Sequence, residues 1–131
     1  MARILVIDDN DLLRETVKLM LTSGGHEVAL AVNGEDGIRQ FQQRPFDLVL
    51  CDLFMPEKEG LETVREIRGL SADMPIISMT GSITPVPGSS GGLNPDFLRM
   101  AAAFGATETI AKPFKVRELL ALVDKCLGAA G

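Results

Sequence analysis

Five polar residues stand at or just after the ends of apolar segments in this chain: Asp8, Asp9, Asp52, Thr80 and Lys112. Three carboxylates brought into one pocket repel one another and raise each other's pKa unless a cation compensates them. Oxygen ligands that leave room for water suit Mg²⁺, and the hydroxyl and the ammonium could bind an anion beyond the ion. The set therefore predicts a site for a metal ion and a phosphoryl group, with one carboxylate as nucleophile. Spacing alone does not say which carboxylate that is.

The elements that must position these residues alternate along the chain. Short apolar runs predict five strands, over about 2–7, 27–32, 47–52, 75–79 and 107–111. Helical spacing predicts five helices, over about 11–23, 34–44, from about 61 onward, 94–105 and 115–127. Asn10, Asn33 and Asn94 are the expected N-caps, and Gly24 and Gly105 are expected to end the helices before them.

This alternation predicts an α/β fold, a doubly wound three-layer sandwich around a parallel sheet. In such sheets the working crevice lies beyond the carboxyl ends of the strands. The five polar residues named above should therefore gather at one edge. Glu27, Asp47 and Asp73 stand at or before strand starts and should lie at the opposite edge.

Length, composition and charge limit the classes of function that this chain can have. The 131 residues suit one domain, and the net charge of −5 argues against direct nucleic-acid binding. The first apolar run is too short for a signal peptide or a membrane span, so we expect a cytoplasmic protein without a membrane partner. Cys51 and Cys126 lack ligand spacing and are expected to be reduced core thiols, and His26 is expected to be a turn residue.

Four motifs make a family resemblance. "IDDN" follows the first strand, "CDLFMP" ends the third, Thr80-Gly81 follows the fourth and "AKPF" follows the fifth. With these motifs the chain resembles the receiver domain of two-component response regulators, the CheY-like family, from Met1 to its last helix. The resemblance implies a flavodoxin-like (βα)5 fold with strand order 2-1-3-4-5.

The resemblance also assigns roles. It implies that Asp52 accepts a phosphoryl group from a histidine of a sensor kinase or a phosphotransfer protein. Asp9, Asp52 and the backbone carbonyl of Phe54 would bind Mg²⁺, with Asp8 acting through water. Lys112 and the Thr80 hydroxyl would hold phosphoryl oxygens, because the transferred group needs its charge cancelled. The chain would then be a signalling switch rather than a turnover enzyme.

Three departures from the family pattern carry expectations. Thr109 stands where relatives usually carry Tyr or Phe, which puts the usual output coupling in doubt. The Gly/Pro/Ser-rich loop over about 81–93 is read either as a tolerated insertion or as a lid beside the site. Phe54 and Ser82 are poorly suited to orient a water molecule, so we expect slow self-dephosphorylation.

Two other classes compete with the receiver. A haloacid-dehalogenase-type phosphatase would carry Asp-x-Asp-x-Thr/Val, which Asp9-Asn10-Asp11 begins but Leu13 does not complete. Asp11 is also expected to lie inside the first helix. A flavodoxin-like cofactor module would need a phosphate-binding loop after the first strand, where the acidic "DDND" would repel phosphate.

The organisation of the chain is the remaining choice. Gly128 to Gly131 follow the last helix and leave no room for an output domain, so we expect a stand-alone regulator that is a monomer or a weak homodimer. The alternative is a receiver excised from a hybrid kinase or a longer regulator. The downstream protein target is unknown from the sequence.

Overall fold

The computed structural model describes residues 2–53, 59–80, 102–103, 105–111 and 114–130. The strands and helices within these ranges are, in chain order, β1 (Arg3–Ile7), α1 (Asp11–Ser23), β2 (Glu27–Ala31), α2 (Gly34–Gln43), β3 (Leu48–Asp52), α3 (Glu59–Leu70), β4 (Ile76–Thr80), β5 (Glu108–Ala111) and α4 (Val116–Ala130).

The five strands form one parallel sheet in the order β2-β1-β3-β4-β5, as expected. The register pairs Ile7 with Cys51, Asp52 with Met79 and Thr80 with Ala111. The ends of β1, β3, β4 and β5 therefore lie side by side at one edge, which we call the carboxyl edge. The edge at which the strands begin is the amino edge.

Two apolar layers cover the sheet. Successive side chains of a strand point to opposite faces of the sheet, so each central strand contributes residues to both layers. One layer packs α1 and α4 on the sheet through Val17, Leu21, Leu119 and Val123, all fully buried. The other packs α2 and α3 through Ile38, Phe41, Leu61, Val64 and Ile67. The predicted three-layer sandwich is confirmed.

The helix ends follow the predicted capping chemistry. The Asn10 side chain accepts a hydrogen bond from the Leu13 backbone N–H at 3.0 Å, and the Asn33 side chain accepts one from Asp36 at 2.8 Å. Helix α1 ends at Ser23, and the N–H of its C-cap residue, Gly24, donates to the Leu21 carbonyl at 3.1 Å. These bonds satisfy backbone groups that a helix end leaves open.

Several boundaries differ from the sequence expectation. Helix α3 begins at Glu59, so Gly60 lies in its first turn rather than in the preceding turn. Thr80 is the last residue of β4 rather than the residue after it, and α4 runs to Ala130. The predicted loop over 81–93 and the predicted helix over 94–105, except 102–103 and Gly105, lie outside the described residues.

The remaining expectations concern individual residues. Cys51 and Cys126 are buried and form no disulfide with each other, as predicted, and burial raises the pKa of the Cys126 thiol. His26 lies just after the turn that follows α1, where its Nδ1 accepts a hydrogen bond from the Ala2 N–H at 3.2 Å. Of the helices described above, none combines the length and apolar character needed to cross a membrane.

The amino edge is held by charged side chains that find partners within the chain. The Arg3 backbone N–H donates to Asp47 at 2.8 Å, and the Arg3 guanidinium contacts Glu27 at 3.3 Å. The Arg68 guanidinium donates to the Gly105 carbonyl at 2.8 and 3.1 Å and to the Ala72 carbonyl at 2.7 Å. Burial lowers the pKa of Arg68, and nearby Asp73 partly offsets that effect. Arg68 thereby joins the end of α3 to the segment before β5.

Candidate metal and phosphoryl site

Neighbouring strand ends bring the predicted acidic residues together. Asp8 follows the last residue of β1, and Asp52 is the last residue of β3, the strand beside it. Asp8, Asp9 and Asp52 each offer a carboxylate oxygen, and these three atoms lie within 4.8 Å of one another. Asp8 and Asp52 are buried, whereas Asp9 is exposed. The cluster is thus open to solvent on the Asp9 side.

The oxygen set fits a hard divalent cation. Mg²⁺ binds oxygen at about 2.0–2.1 Å, so ligands on opposite sides of the ion are about 4.2 Å apart. The three carboxylate oxygens lie within 4.8 Å of one another, which is close to this largest ligand separation. Like charges this close repel, and a bound cation would remove the repulsion. Asp8, Asp9 and Asp52 are therefore the described residues that would hold Mg²⁺.

The loop that carries Asp8 and Asp9 is tied at both ends. The Asp8 backbone N–H donates to the Ala31 carbonyl at 3.2 Å, which extends the β1–β2 pairing by one residue. The Asp8 carboxylate accepts a hydrogen bond from the Asn10 N–H at 2.9 Å. Asn10 in turn caps α1. The cap that begins the helix therefore also orients the first carboxylate of the site.

Asp52 is fixed by close backbone packing. The N–H of Leu53 donates to the Met79 carbonyl at 2.9 Å, so the strand pairing continues past Asp52. The first turn of α3 lies against the same backbone: a Cβ added to Gly60 would stand 2.2 Å from the Asp52 carbonyl oxygen and 2.6 Å from Leu53 Cα. Only a residue without a side chain fits between them.

Thr80 connects the site to β5. Its hydroxyl is fully buried at the end of β4 and donates to the Ile110 carbonyl at 3.5 Å, a long hydrogen bond. Because β4 lies beside β3, this hydroxyl stands at the same edge as Asp52. A hydroxyl in a weak contact can exchange it for a stronger acceptor, such as a phosphoryl oxygen.

Comparison with known proteins decides the family. The family model for the response regulator receiver domain matches residues 4–124. The chain belongs to the response regulator receiver domain family. It is 35% identical over 131 residues to the response regulator receiver protein CpdR of Brucella abortus, matching 99% of this chain and all of that one.

Other relatives of this receiver domain are longer. It is 31% identical over 121 residues to the transcriptional regulatory protein DltR of Streptococcus agalactiae, matching 92% of this chain and 50% of that one. The chain thus spans half the length of that curated relative. Among solved structures, a CheY-like receiver domain protein from Methanospirillum hungatei superposes with a TM-score of 0.84 at 26% identity, covering 99% and 96% of the two chains. Vibrio cholerae CheY4 gives 0.83 at 29% identity, covering 96% of this chain and 98% of its own.

Two residues of the predicted site, Phe54 and Lys112, lie outside the described residues, so their assigned roles stay predictions. Ser82 lies outside them too. Thr109 is described: it is half-buried on β5 and stands in register with Ser78 of β4. The structure thus brings together Asp8, Asp9 and Asp52 and places Thr80 at the same edge.

Arg14 contacts the site and was missed by sequence reasoning. It is buried, and its guanidinium donates to the Asp8 carbonyl at 2.7 Å and to the Asp11 carboxylate. The sequence did contain a signal, because Arg14, Val17 and Leu21 share one helical face. An arginine on an otherwise apolar buried face needs a partner, and the adjacent acidic loop supplies one.

The phosphatase alternative finds no support in the receiver site. Asp11 is the first residue of α1, as expected, and its side chain is 89% exposed and paired with Arg14. It is therefore engaged outside the three-carboxylate cluster formed by Asp8, Asp9 and Asp52. The acidic loop after β1 also disfavours the flavodoxin-like module, because its carboxylates would repel a cofactor phosphate.

Proposed function

We propose that this receiver domain takes a phosphoryl group from the phosphohistidine of a sensor kinase or phosphotransfer protein onto Asp52. A carboxylate oxygen of Asp52 would form the new P–O bond while the P–N bond to the donor imidazole breaks, and the nitrogen would then take up a proton. The observation that carries the proposal is the close approach of Asp8, Asp9 and Asp52 at the end of the central strands. The choice of Asp52 as nucleophile follows the family motif.

The residues of the site would divide the work. Asp8, Asp9 and Asp52 would hold Mg²⁺, which when bound would neutralise charge on the carboxylates and on the transferred group. The Thr80 hydroxyl would donate to a phosphoryl oxygen. Lys112, by the family pattern, would bind another. Burial of Asp8 and Asp52 limits water around the reacting group, which strengthens these interactions.

The site would signal through β5. When Thr80 turns to the phosphoryl group, the Ile110 carbonyl loses its hydrogen bond from that hydroxyl. The face that includes β5 and α4 would then repack and change its affinity for a downstream protein. Because Thr109 lacks an aromatic ring, this change would begin from the hydrogen bond rather than from a ring turning inward.

Intact-mass analysis tests the acceptor. Incubation with acetyl phosphate or a donor kinase and Mg²⁺ should add one PO₃H unit, about 80 Da. Asp52→Asn should abolish the addition, and a chelator should do the same to the wild type. Asp47→Asn, at the amino edge, is the matched control and should leave it intact. No adduct, or an adduct on another residue, would overturn the proposal.

The remaining assignments concern the whole protein. We propose a cytoplasmic, stand-alone regulator that is modified once rather than an enzyme with turnover, supported by the full-length match to CpdR. The match to half of DltR supports the alternative of a receiver within a longer regulator. A stop codon directly after Gly131 in the native gene would support the first, and a continuing reading frame the second. Repeated turnover of a small phosphoester would contradict the non-enzymatic role.

A further inference from the structure

We propose that Arg14 is a positioning residue for the metal site: its guanidinium holds the Asp8–Asp9 peptide so that both carboxylates point toward the ion. The inference rests on the proposed function, because it concerns the same Mg²⁺ site. It adds a residue of α1 to a site otherwise formed by strand ends.

Burial makes Arg14 unusual among the described cations. It is 9% exposed, whereas the other Lys and Arg side chains within the described ranges are half-buried or exposed. A guanidinium is costly to remove from water unless its N–H groups meet good acceptors. A hydrocarbon side chain would fill the same place between α1 and the sheet without that cost. The charge therefore indicates a role in what Arg14 contacts.

One of the two guanidinium contacts is to the peptide that links Asp8 to Asp9. Nη1 donates to the Asp8 carbonyl oxygen at 2.7 Å, and Nη2 donates to the Asp11 carboxylate. The Asp8 carbonyl belongs to the planar peptide that links Asp8 to Asp9, so fixing this oxygen fixes the plane from which both side chains project. The opposite side of Asp8 is held by the Asn10 N–H. Asp9, which is exposed, depends on this peptide for its direction.

Charge and geometry act in opposite directions here. The positive charge of Arg14 repels a metal ion, so its removal would tighten Mg²⁺ binding. Loss of the hydrogen bond to the Asp8 carbonyl frees the loop, so by this effect the removal of the Arg14 side chain would weaken Mg²⁺ binding. Partners that orient metal ligands typically change metal affinity about 10- to 100-fold. The guanidinium is directed at a carbonyl and at Asp11 rather than at the ligand oxygens of the cluster, so we expect geometry to dominate.

Mg²⁺ titration of the unphosphorylated chain, by calorimetry or by NMR at fixed ionic strength, tests the inference. Arg14→Met should raise the Kd about 10- to 100-fold. Arg14→Lys keeps the charge but not the planar fork of the guanidinium, so its Kd should lie between those of the wild type and Arg14→Met. Asp11→Asn weakens the second contact of the fork and should raise the Kd a few-fold.

Arg39→Met is the matched control. Arg39 pairs with Asp36 at the same i,i+3 spacing on α2, but its side chain is 65% exposed. Its removal takes away one positive charge and one Arg–Asp pair, and should leave the Kd within about twofold of the wild type, since the guanidinium contacts Asp36 and not the Asp8–Asp9 peptide.

The outcomes separate this inference from the proposed function. A wild-type Kd in Arg14→Met, or a tighter one, overturns the positioning role while the metal site stands. No Mg²⁺ binding by the wild type overturns the metal part of the proposed function and this inference with it. Should Arg14→Met fail to fold, wild-type Kd values in both Arg14→Lys and Asp11→Asn would overturn the inference.

Discussion

The two edges of the sheet differ in the contacts that their charged side chains make. At the amino edge, Arg3 meets Glu27 and Asp47, and Arg68 donates to backbone carbonyls. At the carboxyl edge, three carboxylates lie within 4.8 Å of one another, and two of them, Asp8 and Asp52, are buried. At the amino edge, these charged side chains find hydrogen-bond partners within the chain. The carboxyl edge gathers like charges whose repulsion a bound cation would reduce.

This difference separates stability from function. Charges at the amino edge connect elements that lie far apart in sequence, such as Arg68 at the end of α3 and Gly105 before β5. The three carboxylates at the carboxyl edge repel one another, and a bound cation would reduce that repulsion. Substitutions at the two edges should therefore change the free energy of unfolding with different signs and different responses to Mg²⁺.

The largest effect should come from Gly60→Ala, which tests how closely α3 packs at the carboxyl edge. The new Cβ would stand 2.2 Å from the Asp52 carbonyl oxygen and 2.6 Å from Leu53 Cα, both backbone atoms. Neither atom can move without disturbing β3, so we expect a loss of about 3 kcal/mol or more in urea unfolding.

Gly69→Ala is the matched control in the same helix. A Cβ there meets nothing within 4 Å, so alanine should stabilise the protein by about 0.5–1 kcal/mol through its higher helix propensity. Equal changes in the two variants would show that α3 does not press on the Asp52 backbone.

Arg68→Met should cause the second-largest loss of stability, and it tests the amino edge. Methionine keeps the apolar stem but removes the donors to the carbonyls of Gly105, Ser71 and Ala72. Hydrogen bonds from charged groups contribute about 1.5–3 kcal/mol in favourable cases, so we expect a loss of about 2–3 kcal/mol. Arg65→Met, at an exposed site of the same helix, should change stability by less than about 0.5 kcal/mol. A loss no larger than this control would mean that Arg68 does not hold this edge.

The contrast between these residues also shows what sequence reasoning could reach. Apolar periodicity and the Asn caps depend on neighbours in the chain, which is why α1 was predicted with both of its ends and the strands within a residue or two. The grouping of Asp8, Asp9 and Asp52 followed from the parallel sheet, because every strand ends at the same edge.

Contacts between distant segments were harder to predict. The start of α3 at Glu59 depends on the packing of Gly60 against Asp52, eight positions earlier, which no local pattern encodes. Arg68 reaches Gly105 across 37 positions. Arg14 was missed for a different reason, since its helical spacing placed it inside but an arginine was not expected on a buried face.

The third prediction concerns the charges themselves. With a chelator present, Asp52→Asn should stabilise the protein by on the order of 2 kcal/mol, because the relief of its repulsion with Asp8 and Asp9, at an effective dielectric constant near 20, outweighs the contacts that Asp52 makes elsewhere. Asp47→Asn at the amino edge should instead destabilise it by less than about 1 kcal/mol, since its contact with Arg3 is exposed.

With Mg²⁺ present, the wild type should instead be more stable than Asp52→Asn. Binding to the folded state stabilises the wild type by RT ln(1 + [Mg²⁺]/Kd), and Asp52→Asn should gain less because it lacks one ligand. Thermal unfolding with and without Mg²⁺ measures both terms. Destabilisation by Asp52→Asn in the chelator would show that the other contacts of this carboxylate outweigh its repulsion with Asp8 and Asp9, and the contrast between the edges would be lost.

The smallest expected changes in stability come from removing two hydroxyls, those of Thr107 and Ser78. Thr107, before β5, accepts a hydrogen bond from the Ile76 N–H at 3.0 Å, so Thr107→Val should cost about 0.5–1.5 kcal/mol. Ser78, within β4, is fully buried, and its hydroxyl has no hydrogen-bond partner among the described residues. Burying such a group unpaired is unfavourable, so Ser78→Ala should stabilise the protein by up to about 1 kcal/mol.

The sign of the Ser78→Ala change in urea unfolding is what decides the comparison. A gain would mean that β4 carries an uncompensated polar group two residues before Thr80, which extends the contrast between the edges into the sheet itself. A loss would mean that the hydroxyl is satisfied, and its register neighbour on β5, Thr109, is then the first partner to test. Thr109→Val distinguishes the cases: if the two hydroxyls bond, the double variant should cost less than the sum of the single ones.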